Sequence, residues 1–147
     1  MTSWLPTLLM LVAGVCAATQ TPTNALLATG VRSPVNAALI SFAVGTAVLL
    51  VAAAVVRVRP DWSAVRALPP YAWLGGAYGA FFVVAAAYSA PRIGVAATLT
   101  LLVAGQLAAA ALLDQFGALG VPARPLTPVR LAGLGLVLAG VVLVRRG

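Results

Sequence analysis

Residues 34–56 read PVNAALISFAVGTAVLLVAAAVV, without one ionisable side chain. A helix of about 20 residues, rising ~1.5 Å per residue, crosses a hydrocarbon core of roughly 30 Å. The stretch is apolar on every face, which excludes the alternating polarity of a membrane barrel strand. A backbone surrounded by lipid finds hydrogen-bond partners only within itself, so the run must be a helix. It predicts a transmembrane span.

The same pattern repeats outward from it. Apolar segments are predicted at 4–27, 71–88, 93–113 and 129–144, giving a single transmembrane domain over 1–147 with about five helices. The connections are short: a turn around Arg32, a surface loop over 57–70 with Arg57, Arg59, Arg66 and Asp61, and a Gly/Pro-rich loop over 115–128. A tight break is expected at Ser89-Ala90-Pro91-Arg92, because proline and its preceding residue disfavour a continuing helix. Tyr71 and Trp73 open the third segment, where aromatic rings suit the headgroup boundary.

Composition agrees with that frame. Hydrophobic residues make up 63% of the 147 positions and charged residues 7%, a balance that a water-soluble domain of this size could not hide. The net charge of +7 comes from nine arginines against Asp61 and Asp114, with no Lys, Glu or His. The arginines flank apolar segments, where long side chains reach headgroups and water, so the basic balance does not signal nucleic-acid binding. Cys16 is the single cysteine, which excludes an intrachain disulfide and a cysteine metal cluster. Val15 before it disfavours lipoprotein processing, and the absence of a basic residue over 1–4 disfavours a cleaved leader.

Five spans would place Arg57, Arg59, Arg66, Arg124 and Arg130 on one side, and Arg32, Arg92, Arg145 and Arg146 on the other. Fixed orientation normally follows an excess of Lys and Arg in cytoplasmic loops. A near-even distribution predicts dual topology, with copies inserted both ways and paired as an antiparallel homodimer. A small bias sufficient for one orientation is the competing reading.

Within the predicted spans few polar groups stand out. Gln20 and Asn24 are four apart and share one face of the first helix; Gln106 lies near the middle of the fourth segment. Amides offer donors and acceptors to a neutral hydrogen-bonding solute or a partly dehydrated ion. Pro22 between the first two would release local backbone groups. Bonding to neighbouring helices is the structural alternative for all three. Ser41 and Tyr88 are weaker candidates for substrate contact. Asp114 falls at a helix end, where a structural ion pair with Arg130 is expected in preference to an intramembrane proton site. Gly75 and Gly79 have GxxxG spacing, and Gly140 lies on a small-residue stripe; each could serve packing within the chain or between chains. No triad, paired carboxylates, metal-ligand spacing or phosphate loop is present, so no enzyme, cofactor or metal is expected.

The sequence resembles the YdcZ-like group of small inner-membrane proteins in the drug/metabolite transporter superfamily. The resemblance rests on QTPTNAL at 20–26, SPVNAALISFAVG at 33–45 and WLGGAYGA at 73–80. It continues with Gly105-Gln106, then DQFG at 114–117, Pro125-Leu126, Arg130 and Gly133. It implies a five-helix unit that occurs singly, as paired chains or as a tandem, in the cell (inner) membrane. Gln115 stands where the pattern leads one to expect His. The first helix also lacks the mid-membrane Glu of the related small multidrug exporters, so their proton-coupled cation export is not carried over. The resulting expectation is a dimeric transporter moving a small polar or amphiphilic solute by alternating access. A dual-topology ion channel and a non-transporting assembly subunit are the alternatives.

Overall fold

The computed structural model describes residues 4–57 and 59–146. Met1 to Ser3, where a leader was weighed, lie outside the described residues, as does the side chain of Arg145, which entered the charge comparison. Among the described residues the fold is helical, without strands. In chain order the helices are α1 (Trp4–Gly30), α2 (Pro34–Val56), α3 (Trp62–Arg66), α4 (Gly75–Ile93), α5 (Val95–Phe116) and α6 (Pro128–Arg146). Short 3-10 turns at Pro70–Leu74 and Ala118–Gly120 precede α4 and follow α5. Among the described residues, four helical stretches are long and apolar enough to cross a membrane: Trp4–Gly30, Pro34–Val56, Pro70–Ile93 and Val95–Phe116. A fifth apolar stretch, Pro128–Val144, is shorter.

The described helices differ from expectation at their ends. Helix α4 runs through Ser89-Ala90-Pro91-Arg92 and stops at Ile93, and the break falls at Gly94, with φ +83°. Pro91 sits in the last turn, so its missing N–H leaves only the Ala87 carbonyl without its helical donor before the helix ends at Ile93. The Arg92 guanidinium also caps the nearby Tyr88 carbonyl. Pro22 likewise leaves α1 unbroken. In lipid a freed backbone has no water to turn to, so the helix is the least costly course even around proline. Within the 57–70 connection, residues 62–66 form the short helix α3.

The chain forms two compact units, Met1–Arg92 and Ile93–Gly147. In the first, α1 packs against α2, and Ala28, Ala37 and Ala87 form a buried cluster flanked by Leu27 and Val31. In the second, α5 packs against α6. Eight of the ten buried apolar residues among those described are alanine. Small side chains at contacts are what lipid selects, since burial from hydrocarbon gains no hydrophobic free energy and close backbone approach gains dispersion. Large side chains such as Trp4, Met10, Leu49, Val55, Phe81 and Leu136 are exposed, facing what in place would be lipid or another chain.

The turn between α1 and α2 has the Schellman pattern, with Ser33 N–H bonded to Ala28 O at 3.0 Å and Arg32 N–H to Thr29 O at 3.3 Å. Arg32 occupies its left-handed position at φ +54°. Glycine normally fills that position, and a side chain there costs about 1 kcal/mol. Arg57 ends α2 in the same left-handed conformation, at φ +57°, with the single bond from its N–H to Ala53 O. Ser33 then starts α2, its side chain accepting the Asn36 N–H, with Pro34 in the first turn.

Asp61 caps α3, and hydrogen bonds from the Ser63 hydroxyl, the Ala64 N–H and the Ser63 N–H hold its carboxyl below the ordinary 3.8. A depressed folded value means that the cap is complete above the unfolded value and is lost as pH falls through the lowered one. Measured against the intrinsic exchange rate at each pH, protection of the Ser63 and Ala64 amides should therefore persist at neutral pH and be lost as pH falls through the lowered carboxyl value. In Asp61→Asn, which keeps an accepting oxygen, that acid-dependent step should disappear.

Candidate functional site

The polar chemistry of the first unit is concentrated in α1. Thr19 donates to Val15 O and Cys16 O, Thr21 to Ala17 O, Thr23 to Thr19 O and Gln20 O, and Thr29 to Ala25 O, all within 2.9–3.1 Å. Every one of these hydroxyls is thus committed to its own helix, the usual course for Ser and Thr where water is absent. The amides Gln20 and Asn24 have no such local partner, and neither makes a side-chain hydrogen bond among the described residues. They are the unassigned donors and acceptors of α1.

Asn24 is 6% exposed and lies on the buried face formed by Thr21, Asn24, Ala25 and Ala28. Neither of its amide atoms is sealed without a partner, so the amide keeps an opening to its surroundings. Gln20, one turn earlier, is exposed at the edge of that face. Pro22 is exposed as well. At about 100° per residue, it and the Ala18 carbonyl it frees lie roughly 120–160° around the helix from Gln20 and Asn24. The freed carbonyl and the amides therefore do not converge.

The remaining candidates are dispersed. Ser41 is half-buried and continues the face of α2 that buries Ala37 and Ala38. Tyr88 on α4 has one ring face covered by Arg92, whose guanidinium carbon is 3.6 Å from the ring centroid. Gln106 is exposed midway along α5, in the second unit. Among the three glycines, a Cβ on Gly79 would stand 3.2 Å from the Phe42 ring, whereas Gly75 and Gly140 have nothing within 4 Å. Gly75 is exposed, and Gly140 is half-buried with open space where a Cβ would stand.

The second unit holds a polar clasp at the membrane-surface end of α5. Arg130 pairs with the Asp114 carboxylate and donates to the Arg124 carbonyl at 3.2 Å. The Arg124 N–H bonds Asp114 O at 2.6 Å, and the Leu126 N–H bonds Gln115 Oε1 at 2.7 Å. Gly117 makes the reversal possible: at φ +59° it caps α5, and a Cβ there would meet Ala123 at 3.1 Å. Asp114 and Arg130 are both partly exposed, as a helix-end pair at an interface would be. No cluster of His, Cys, Asp or Glu able to hold a metal occurs among the described residues.

Sequence reasoning overlooked Thr21, which is 1% exposed, and the pairing of Tyr88 with Arg92. The latter had a legible signal, since residues four apart on a helix are neighbours. The signal for Thr21 was only its place on the alanine face with Ala25 and Ala28.

Apolar helices of membrane length, alanine contacts and arginines at helix ends define a small multi-pass membrane protein. More particularly, the family described as "Putative inner membrane exporter, YdcZ" matches residues 5–143, and the chain belongs to it. It is accordingly a multi-pass inner-membrane protein of an exporter family. No curated protein and no solved structure matches the chain.

The clasp has a measurable consequence. Asp114→Asn or Arg130→Gln should each speed hydrogen exchange at the Arg124 and Leu126 amides by about 5-fold, for a loss of ~1 kcal/mol at a partly exposed pair. The double reversal Asp114→Arg with Arg130→Asp should restore most of the protection. Exchange unchanged in both single variants would show that the loop is held without the ion pair, by the Arg124–Asp114 backbone bond and the Gln115 side chain.

Proposed function

We propose that the chain works as an antiparallel homodimer that moves a small polar or amphiphilic solute across the inner membrane by alternating access, without enzymatic chemistry. The observation that carries this reading is the α1 amide face: Asn24 and Gln20 stay unpartnered on a helix whose threonines bond their own backbone. An amide held in an apolar setting gains most when a ligand supplies the missing hydrogen bonds, since leaving it unmatched costs about 1–3 kcal/mol. Ser41 and Tyr88 of the same unit would add solute contacts, and Gln106 offers a further amide on α5 of the second unit.

Three features support a dimer. The arginines divide almost evenly between the two sides expected of five spans. The most apolar part of α2 buries none of its residues within the chain. Gly75 is exposed, and a Cβ on Gly140 would enter open space. An antiparallel pair would reproduce, with two chains, the inverted repeat that builds midplane sites in many transporters. No described span contains a carboxylate except Asp114 at a helix end, so the solute or coupling ion would be held by neutral oxygens and amides.

Orientation is testable directly. With Cys16→Ala as background and Ala67→Cys in the exposed 57–70 connection, an impermeant thiol reagent on intact cells should label about half of what permeabilised cells give. Labelling near zero or near completion would remove the antiparallel homodimer. Transport is tested in proteoliposomes loaded with a panel of labelled amino acids, sugars and quaternary amines. Efflux of at least one solute should exceed that of empty vesicles, and Asn24→Leu should slow it by about 10-fold or more, with Gln20→Leu in the same direction. A solute moved equally well by both variants would show that the amide face is structural. Electrical current far above carrier turnover would favour a channel instead.

A further inference from the structure

Away from the amide face, the first unit gathers positive charge around a cleft. The space, about 390 Å³, lies where α1 ends, α2 begins and α4 ends, with Thr29, Arg32, Ser33, Pro34 and Arg92 in its lining above Ala25, Ala28 and Ala87. Both ionised groups of that lining are cations. The Arg32 guanidinium makes no ion pair or side-chain hydrogen bond among the described residues. Arg92 is held by its stack on Tyr88 and its bond to the Tyr88 carbonyl, which fix the guanidinium and leave further N–H groups unassigned. Ser33 Oγ accepts the Asn36 N–H at 3.2 Å, so the Ser33 hydroxyl proton remains to be donated. The first turn of α2, with its partial positive charge, adds to the same field.

No acid offsets these cations. The sequence has only Asp61 and Asp114; the first caps α3 and the second pairs with Arg130 in the other unit. Arg32 takes a left-handed conformation at φ +54°, where glycine would be unstrained, so its side chain can be removed without cost to the turn.

We propose that this cleft binds a phosphate-type oxyanion, gripped between Arg32 and Arg92 with the Ser33 hydroxyl as a third donor. Two planar guanidiniums match phosphate oxygens in geometry as well as charge. The shared chemistry can be delivered by the headgroup of an anionic phospholipid or by a soluble phosphate. The site is separate from the α1 amides and does not depend on the transport reading.

The test uses the full chain in neutral detergent, titrated with dihexanoyl phosphatidylglycerol, dihexanoyl phosphatidylcholine and inorganic phosphate. Arg32→Gly suits the left-handed turn, so its thermal midpoint should stay level or rise while anion affinity falls by about 10-fold or more. Arg92→Gln should weaken binding similarly. Arg57→Gly, which removes an equal charge from a like turn at φ +57°, should change affinity less than about 2-fold. Phosphatidylglycerol binding that inorganic phosphate displaces identifies a site open to soluble anions, and binding confined to the lipid identifies a headgroup site. The proposal is overturned if neither anion binds, if phosphatidylcholine binds as tightly, or if Arg32→Gly and Arg57→Gly weaken binding alike.

Discussion

Hydrocarbon offers a polar group no partner, and most of this structure follows from that. Each backbone N–H must find a carbonyl in its own helix, which is why α1 passes Pro22 and α4 passes Pro91 without breaking. The same constraint acts on side chains. Threonines 19, 21, 23 and 29 in the first unit, and Thr98 and Thr100 in the second, all return their hydroxyl protons to carbonyls of the preceding turn. Where the environment forces every donor to pair locally, a group that cannot do so becomes conspicuous. Gln20, Asn24 and Gln106 are such groups, because an amide reaching beyond its helix must be matched by another helix, another chain or a ligand.

Packing obeys the same solvent. In water a core forms from large apolar side chains, because burying them releases about 25 cal/mol per Å². Lipid removes that drive, and the buried positions here are chiefly alanines on α1, α2 and α4. Contacts of this kind let backbones approach but cover little of each helix, so α2 leaves nearly its whole surface outside the chain. A helix so placed can be surrounded equally well by lipid or by a second copy. The choice between them lies in charge placement and small-residue faces, the two features on which the proposed antiparallel pair rests.

How much of this was legible in the sequence depended on whether the relevant signal is intrinsic to lipid. The span over 34–56 could be read to the residue, since an uninterrupted apolar run has only one outcome in a bilayer. The break after the third span was misplaced, because proline was weighed as it acts in water, whereas Gly94 with its positive φ makes the turn. Arg32 and Arg57 at left-handed positions were not legible, as nothing in their neighbourhood substitutes for the glycine expected there. Among the candidate site residues, the positions of Gln20 and Asn24 on one helix face followed from spacing alone. Their unequal exposure did not, because it depends on where the alanine face meets its neighbours. The cleft at Arg32, Ser33 and Arg92 joins residues nearly sixty positions apart and needed the fold to be seen.

The distribution of charge constrains mechanism more sharply than any single contact. Both acids are committed to backbone architecture: Asp61 holds the start of α3, and Asp114 holds the loop before α6. No carboxylate, histidine or lysine is left to take up and release a proton in the middle of a span. A transporter built from these helices would therefore have to exchange solute for water or ion at neutral oxygens and amides, whose affinities change little with pH. Its cations, by contrast, stand at the helix ends, where Arg32 and Arg92 meet the headgroup zone. Under the two proposals above, such an arrangement would separate two tasks: selection of a neutral or amphiphilic solute among apolar helices, and attachment to anions at the surface. A protein of this size can carry both because the bilayer performs the sorting, admitting amides at depth only when matched and holding guanidiniums at the boundary.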